Sequence, residues 1–116
     1  MARKNNLIAG VTDLLVLSIL DHKDNYAYEI SKYIASQSDA LLSMSMNTVY
    51  TVIYKLESKN MVTEYTKLVG KKRTRVYYHL EPAGKEYLDK LRTNYDNMVK
   101  GVSLIFEDLA SPEESE

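Results

Sequence analysis

The sequence predicts a mainly α fold with one small β-hairpin, an α+β arrangement that ends in a long helix. Three observations predict it. Apolar residues recur at helical spacing in three stretches before residue 62. The pattern then changes to strand-like alternation on either side of the turn Gly70–Arg73. From Pro82 to Leu109 a single helical pattern returns and is not interrupted.

The first helix is predicted from about Leu7 to Leu20. Leu7, Val11, Leu14, Leu15 and Ser18 trace one stripe, and Ile8, Leu15 and Ile19 a neighbouring one. The run Leu14–Leu20 is apolar nearly all round, so little of its surface suits water. In so small a chain, this implies one side turned to the core and another to a partner. Asp21–Asn25 reads as a turn, with Asp24 or Asn25 capping a second helix over Tyr26–Gln37. Tyr26, Ile30, Tyr33 and Ile34 form its inner stripe. Ser36–Ser43 reads as a polar connection with Leu41 and Leu42 turned inward.

Ser45 is suited to cap the third helix by accepting backbone N–H groups. Val49, Val52, Ile53 and Leu56 form its apolar stripe, and Asn60 tolerates the left-handed conformation that ends a helix. The opposite face carries Asn47, Thr48, Tyr50, Thr51, Tyr54 and Lys55. These side chains hydrogen-bond or stack, and only Lys55 is charged. Solvated helix faces carry Lys and Glu more often. Amides and hydroxyls suit the floor of a DNA major groove, where they meet base edges. An ordinary amphipathic helix with a wet polar face is the alternative.

Thr63–Val69 and Thr74–Leu80 are rich in β-branched and aromatic residues and read as the two strands. Val76, Tyr78 and Leu80 share the face expected to pack on the helices, and Arg75, Tyr77 and His79 share the other. Between Lys67 and Arg75 stand five bases and no acid: Lys67, Lys71, Lys72, Arg73 and Arg75. A basic-tipped hairpin directly after a groove-reading helix is the pattern of a winged helix-turn-helix, whose tip lies along phosphates and releases their counterions.

Pro82 suits the first position of the last helix. Leu88, Leu91, Tyr95, Met98, Val102, Ile105 and Leu109 are spaced alternately three and four apart, a heptad seam. A helix of about 28 residues extends ~40 Å at 1.5 Å per residue, longer than the domain it leaves. These seven residues are therefore expected to form the interface of a homodimer. Gly101 costs about 1 kcal/mol relative to Ala within a helix and marks a kink or a close crossing. Ser111-Pro112 stops the helix. The expected division is residues 1–80 as a winged helix-turn-helix domain that binds DNA, 82–109 as a dimerisation helix, and 110–116 as a disordered acidic tail.

The net charge of the 116 residues is −1, yet its distribution is uneven. Glu107–Glu116 holds five acids and no base, which leaves residues 1–106 at +4. Local potential, not total charge, steers a polyanion. The chain has no cysteine, which excludes disulfides and thiolate metal sites and fits a cytoplasmic protein. No run reaches the roughly 18–20 apolar residues that span a bilayer, and the basic N-terminus lacks the features of a signal peptide. The two histidines, His22 and His79, fall on a turn and a strand. No nucleophile motif, Cys/His cluster or phosphate-cradling glycine loop accompanies them, so neither catalysis, a metal nor a cofactor is expected.

Several of these stretches together resemble the PadR family of bacterial transcriptional regulators. The resemblance rests on Asn47-Thr48-Val49-Tyr50 continuing into Lys55-Leu56-Glu57, and on Arg75-Val76-Tyr77-Tyr78-His79-Leu80-Glu81-Pro82-Ala83-Gly84. Tyr26-Ala27-Tyr28-Glu29-Ile30 adds to it. It spans about Leu7 to Leu109. Three positions depart from the family pattern: Asn60 replaces a glycine, Val76 a basic residue, and Glu81 a capping threonine. With a single C-terminal helix, the chain is similar to the small subgroup of the family.

The resemblance implies a dimeric repressor on a roughly palindromic double-stranded operator, often beside genes for efflux or stress responses. It implies that an aromatic or drug-like ligand can bind between subunits and relieve repression. Carried over by position, Leu7, Leu14 and Ser18 of the first helix and Tyr95 and Val99 of the last would line that ligand site. Tyr95 is also the one aromatic in the heptad seam, where a planar ligand could stack. For DNA, Asn47, Thr48 and Thr51 would meet base edges or phosphates. Tyr50 would contact the backbone or pack beneath it. Lys55, Lys71, Lys72, Arg73 and Arg75 would neutralise phosphates, with Arg3 and Lys4 adding to them. The alternative from another class is a winged-helix module that binds a protein through its long helix. The basic turn argues against it, because a protein partner does not require such a cluster.

Overall fold

The computed structural model describes residues 10–112. Its element order is α1 (Thr12–His22), α2 (Ala27–Gln37), α3 (Met46–Ser58), β1 (Val62–Val69), β2 (Arg73–Leu80) and α4 (Pro82–Ala110). This is the expected winged helix-turn-helix with a long last helix. Leu7, Ile8, Arg3 and Lys4, and the end of the acidic tail, lie outside the described residues.

The core is built from helical stripes. Val16 and Leu17 of α1, Ile30 of α2, and Val49, Ile53 and Leu56 of α3 are fully buried. Val62 and Tyr78 bring in the hairpin, and Leu88 brings in α4. In α1, none of the residues 11–20 is exposed, and Leu14, Val16, Leu17 and Leu20 are buried within this one chain. On the other side of α1, Leu15, Ser18 and Ile19 stay half-buried.

Two inner-stripe expectations are corrected. Tyr33 is 48% exposed, and Ala27, Ile30 and Ile34 are the buried face of α2. Leu41 is 80% exposed while Leu42 packs against the core. The connection explains this. Asp39 and Ala40 take left-handed conformations, and the Ser38 hydroxyl accepts the Leu42 N–H at 3.0 Å. The chain thus reverses so that Leu42 alone turns in. Asp24 and Asn25 do not cap α2 as expected either. The residue at the cap is Tyr26, whose N–H is accepted by Asn25 Oδ1 at 3.0 Å.

The two strands pair antiparallel from Val62↔Leu80 to Val69↔Arg73. Gly70, at φ 78°, supplies the left-handed residue that the tight turn needs. Buried Asn25 extends this sheet by one rung, since its backbone and that of Tyr78 exchange hydrogen bonds at 2.8 and 3.3 Å. On the inner face Tyr78 is buried and Leu80 is half-buried, but Val76 lies beyond the body and is exposed.

α4 starts at Pro82, with no side-chain cap from Glu81, whose carboxylate instead accepts the Thr63 hydroxyl at 2.7 Å. Gly84 lies against Met61, and a Cβ there would collide with the Met61 carbonyl oxygen. Leu88 and Leu91 pack on the core. Beyond Leu91 the helix leaves the body, and the molecule measures 75 × 35 × 21 Å.

Candidate nucleic-acid interface

The reading face of α3 is set by its cap and its register. The Ser45 hydroxyl accepts the Thr48 N–H at 3.2 Å, as expected for an N-cap. With Val49, Val52, Ile53 and Leu56 buried, helical spacing leaves Asn47, Thr51 and Tyr54 exposed, with Thr48 and Tyr50 half-exposed. The hydroxyls of Thr48 and Thr51 are held locally. Ser45 Oγ donates to Thr48 Oγ1 at 3.1 Å, and Thr51 Oγ1 donates to the Asn47 carbonyl at 2.8 Å. Asn47 keeps its side-chain amide at the first turn. Tyr50 packs against the core and stacks on Tyr54, with ring centroids 5.9 Å apart.

Lys55 differs from expectation. Its ammonium lies 2.7 Å from both carboxylate oxygens of Asp13 on α1. Asp13 also accepts the Tyr87 hydroxyl of α4 at 3.1 Å. Asp13 therefore ties three helices together, and the Lys55 side chain, still half-exposed, holds an ion pair that a phosphate would have to compete with. Burial, then this hydrogen bond to Asp13, raises the Tyr87 phenol above its usual pKa.

The hairpin carries the basic residues. Lys71, Lys72 and Arg73 stand exposed around the turn, and no ion pair among the described residues involves them. Lower on the outer face three cross-strand pairs follow one another: Lys67↔Arg75, Tyr65↔Tyr77 and Thr63↔His79. Tyr65 and Tyr77 stack at 5.8 Å, and Tyr26 of α2 meets Tyr77 edge-on at 5.4 Å. The Arg75 guanidinium sits 4.0 Å from the centre of the Tyr26 ring. Arg75 is therefore a braced cation, not a loose one.

The base of the wing is anchored by Asp24. It accepts the Tyr65 hydroxyl at 2.7 Å and lies 2.8 Å from His79 Nδ1, so one carboxylate holds both strands. Burial pushes the Asp24 carboxyl up, but the hydrogen bonds from His79 and Tyr65 and the charge of His79 outweigh it and hold it below the usual range. The same hydrogen bond, against slight burial and with the charges of Asp24 and Glu81, raises the His79 imidazole. On the inner face, burial above all raises the Tyr78 phenol to about 12, so it stays neutral.

The head thus combines a hydrogen-bonding helix face with a basic hairpin. The family model described as the transcriptional regulator PadR-like family matches residues 16–90, from α1 into α4. The chain belongs to this PadR-like family.

Solved structures of similar proteins support the fold. A transcriptional regulator from Clostridium thermocellum superposes with a TM-score of 0.77 at 28% identity, over 88% of this chain and 96% of that one. A PadR family transcription regulator from Clostridium difficile gives 0.71 at 28% identity, over 83% and 98%. Bacillus subtilis PadR, solved in complex with operator DNA, gives 0.63 at 24% identity over 69% of this chain and 45% of that one, a likeness of fold.

The residues expected to hold a ligand in this PadR-like chain are not brought together within one subunit. Leu14 is buried in the core at 8% exposure, so it does not line an open site. Ser18 lines a cavity of about 270 Å³ between α1 and α2, with Leu15, Ile19, Tyr33, Ile34 and Leu42. Tyr95 and Val99 are exposed on the far part of α4. Leu7 lies outside the described residues. Of the expected dimer seam, Leu88 is corrected to a core residue at 5% exposure, because α4 must bury its first turns against α1 and the hairpin. Leu91 is partly used in the same way. Tyr95, Met98, Val102, Ile105 and Leu109 are exposed and are joined by Val99, Leu104 and Phe106.

Sequence reasoning counted Lys67 among the five bases but gave it no role, and it missed the bracing by Tyr26. The hairpin register gives the first: counting back from Gly70 places Lys67 opposite Arg75. Nothing in the sequence signals the second, because Tyr26 and Arg75 are far apart along the chain.

Proposed function

We propose that this chain is a cytoplasmic, dimeric transcriptional repressor, in which two copies join through the far part of α4 and set their heads on a roughly palindromic operator. The observation that carries the DNA reading is a polar, nearly uncharged helix face in the same head as a basic hairpin. The residues are Asn47, Thr48, Tyr50 and Thr51 on α3, and Lys71, Lys72, Arg73 and Arg75 on the wing. The helix face offers groups that read base edges, and the wing offers phosphate-neutralising charge. The complex of Bacillus subtilis PadR with operator DNA supports the same use of this fold. The exposed apolar side chains from Tyr95 to Leu109 support the dimer, since patches of this kind mark contact surfaces.

Relief by a small aromatic ligand belongs to the same proposal. Tyr95 and Val99 lie on the surface that a second copy would cover, and Ser18 borders the cavity beside α1. A bound molecule acts by preferring one spacing of the two heads, and only that preference shifts the equilibrium.

The test is a mobility-shift titration with the DNA upstream of the protein's own gene. Saturable binding to that fragment, and not to a scrambled one, is expected. Replacing Lys71, Lys72 and Arg73 together by alanine should weaken binding to all sequences alike and flatten its salt dependence. A triple variant that binds the fragment as tightly as the wild type at every salt concentration would refute the wing assignment.

A further inference from the structure

Lys67 and Arg75 stand directly opposite each other on the outer face of the hairpin. Like charges in that relation destabilise a strand pair. Neither is relieved by an acid: no ion pair among the described residues involves them, and the nearby Asp24 is occupied by Tyr65 and His79. Each is braced on an aromatic ring instead. Lys67 Nζ lies 5.1 Å from the centre of Tyr77, and the Arg75 guanidinium lies 4.0 Å from that of Tyr26. The two rings touch edge to face. A ring holds a cation in place without neutralising it. The result is two full positive charges fixed side by side on a wet surface.

We propose that Lys67 and Arg75 form a two-point grip on a backbone phosphate of duplex DNA, with Tyr26 and Tyr77 as the residues that position them. The proposal rests on the DNA-binding reading above and adds to it Lys67 and the two tyrosines. A phosphate placed between the cations removes the repulsion that the free protein carries. The grip also differs from the tip. Among the described residues Lys71, Lys72 and Arg73 make no ring contact, so they must be ordered on binding, whereas the braced pair is ordered already. Because Tyr26 starts α2, the grip fixes the wing to the helix-turn-helix at the DNA surface.

Phosphate contacts do not depend on base sequence, so the operator need not be known. The experiment titrates the full chain with a mixed-sequence duplex across a series of salt concentrations. For Lys67→Gln with Arg75→Gln, the slope of log affinity against log salt should flatten by about 1. Affinity near 0.1 M salt should fall by about eightfold on the same relation. Tyr26→Leu should weaken binding several-fold, and Tyr26→Phe, which keeps the ring, should restore it. Thermal melts show whether each variant is folded, and if Tyr26→Leu is not, the double variant decides alone. Wild-type slope and affinity in the double variant, beside a wild type that binds duplex, would overturn the grip and leave the DNA reading intact. A wild type that binds no duplex at any salt would overturn both.

Discussion

The two halves of α4 are one unbroken helix in opposite circumstances. From Pro82 to Leu91 it is part of the head: Gly84 lies against Met61, and Leu88 is buried with α1 and the hairpin. From Tyr95 to Leu109 it carries more large apolar side chains, yet they are exposed, from 38% at Tyr95 to 73% at Leu109. The helical apolar spacing runs on across the boundary. What changes is whether the chain itself supplies a surface to cover the stripe. An apolar stripe on a helix is therefore a demand for burial, and the fold decides whether that demand is met inside the subunit or is left for a second one.

The largest expected effect separates burial in the head from exposure on the projecting half. Ile53 is fully buried, so Ile53→Ala should cost about 2–5 kcal/mol in chemical denaturation of the head. Ile105 is 60% exposed, and Ile105→Ala should leave the head within about 0.5 kcal/mol while weakening self-association. A head destabilised equally by both would erase the distinction.

The two glycines of α4 sharpen the comparison with a smaller effect. A Cβ at Gly84 meets the Met61 carbonyl and the Leu80 side chain, whereas one at Gly101 meets nothing within 4 Å. Gly84→Ala should lower stability by about 1–3 kcal/mol. Gly101→Ala should raise helix stability by up to about 1 kcal/mol. Melting both variants beside the wild type checks the opposite signs.

The smallest effect concerns pH. Asp24 and His79 hold the base of the wing. The folded His79 has a raised pKa, so its contribution is complete below its unfolded value and is lost as pH rises through the folded one. The folded Asp24 has a lowered pKa, so its contribution is present above its unfolded value and is lost as pH falls through the folded one. The anchor is thus strongest in the mildly acidic window between the two groups. The His79 imidazole titration, followed by NMR, should lie above that of an unfolded peptide. His79→Gln should remove the alkaline limb of the stability profile, and a His79 that titrates at or below the peptide value would contradict the anchor.

Most of the fold was legible because local signals agreed. Ser45 and Asn60 bracket α3, Pro82 starts α4, and alternation around Gly70 marks the hairpin. The misreadings share one cause: periodicity identifies a face but not what stands opposite it. Tyr33 fitted the inner stripe of α2, yet it lies 48% exposed. Leu88 fitted the heptad seam, yet the core took it. Leu41 and Leu42 looked alike until the left-handed pair Asp39 and Ala40 turned only one inward. In the interface, the exposed face of α3 follows directly from helical spacing. The bracing of Arg75 on Tyr26 does not, because it depends on how the wing folds back beside α2.

The most direct test of the account is the mass of the chain in solution, measured by sedimentation at micromolar concentration for the wild type and for Ile105→Glu with Leu109→Glu. The wild type should sediment at twice the mass of one chain. The variant should sediment at the mass of one folded chain, with unchanged helical signal from the head. A wild type that sediments as a single subunit would contradict it.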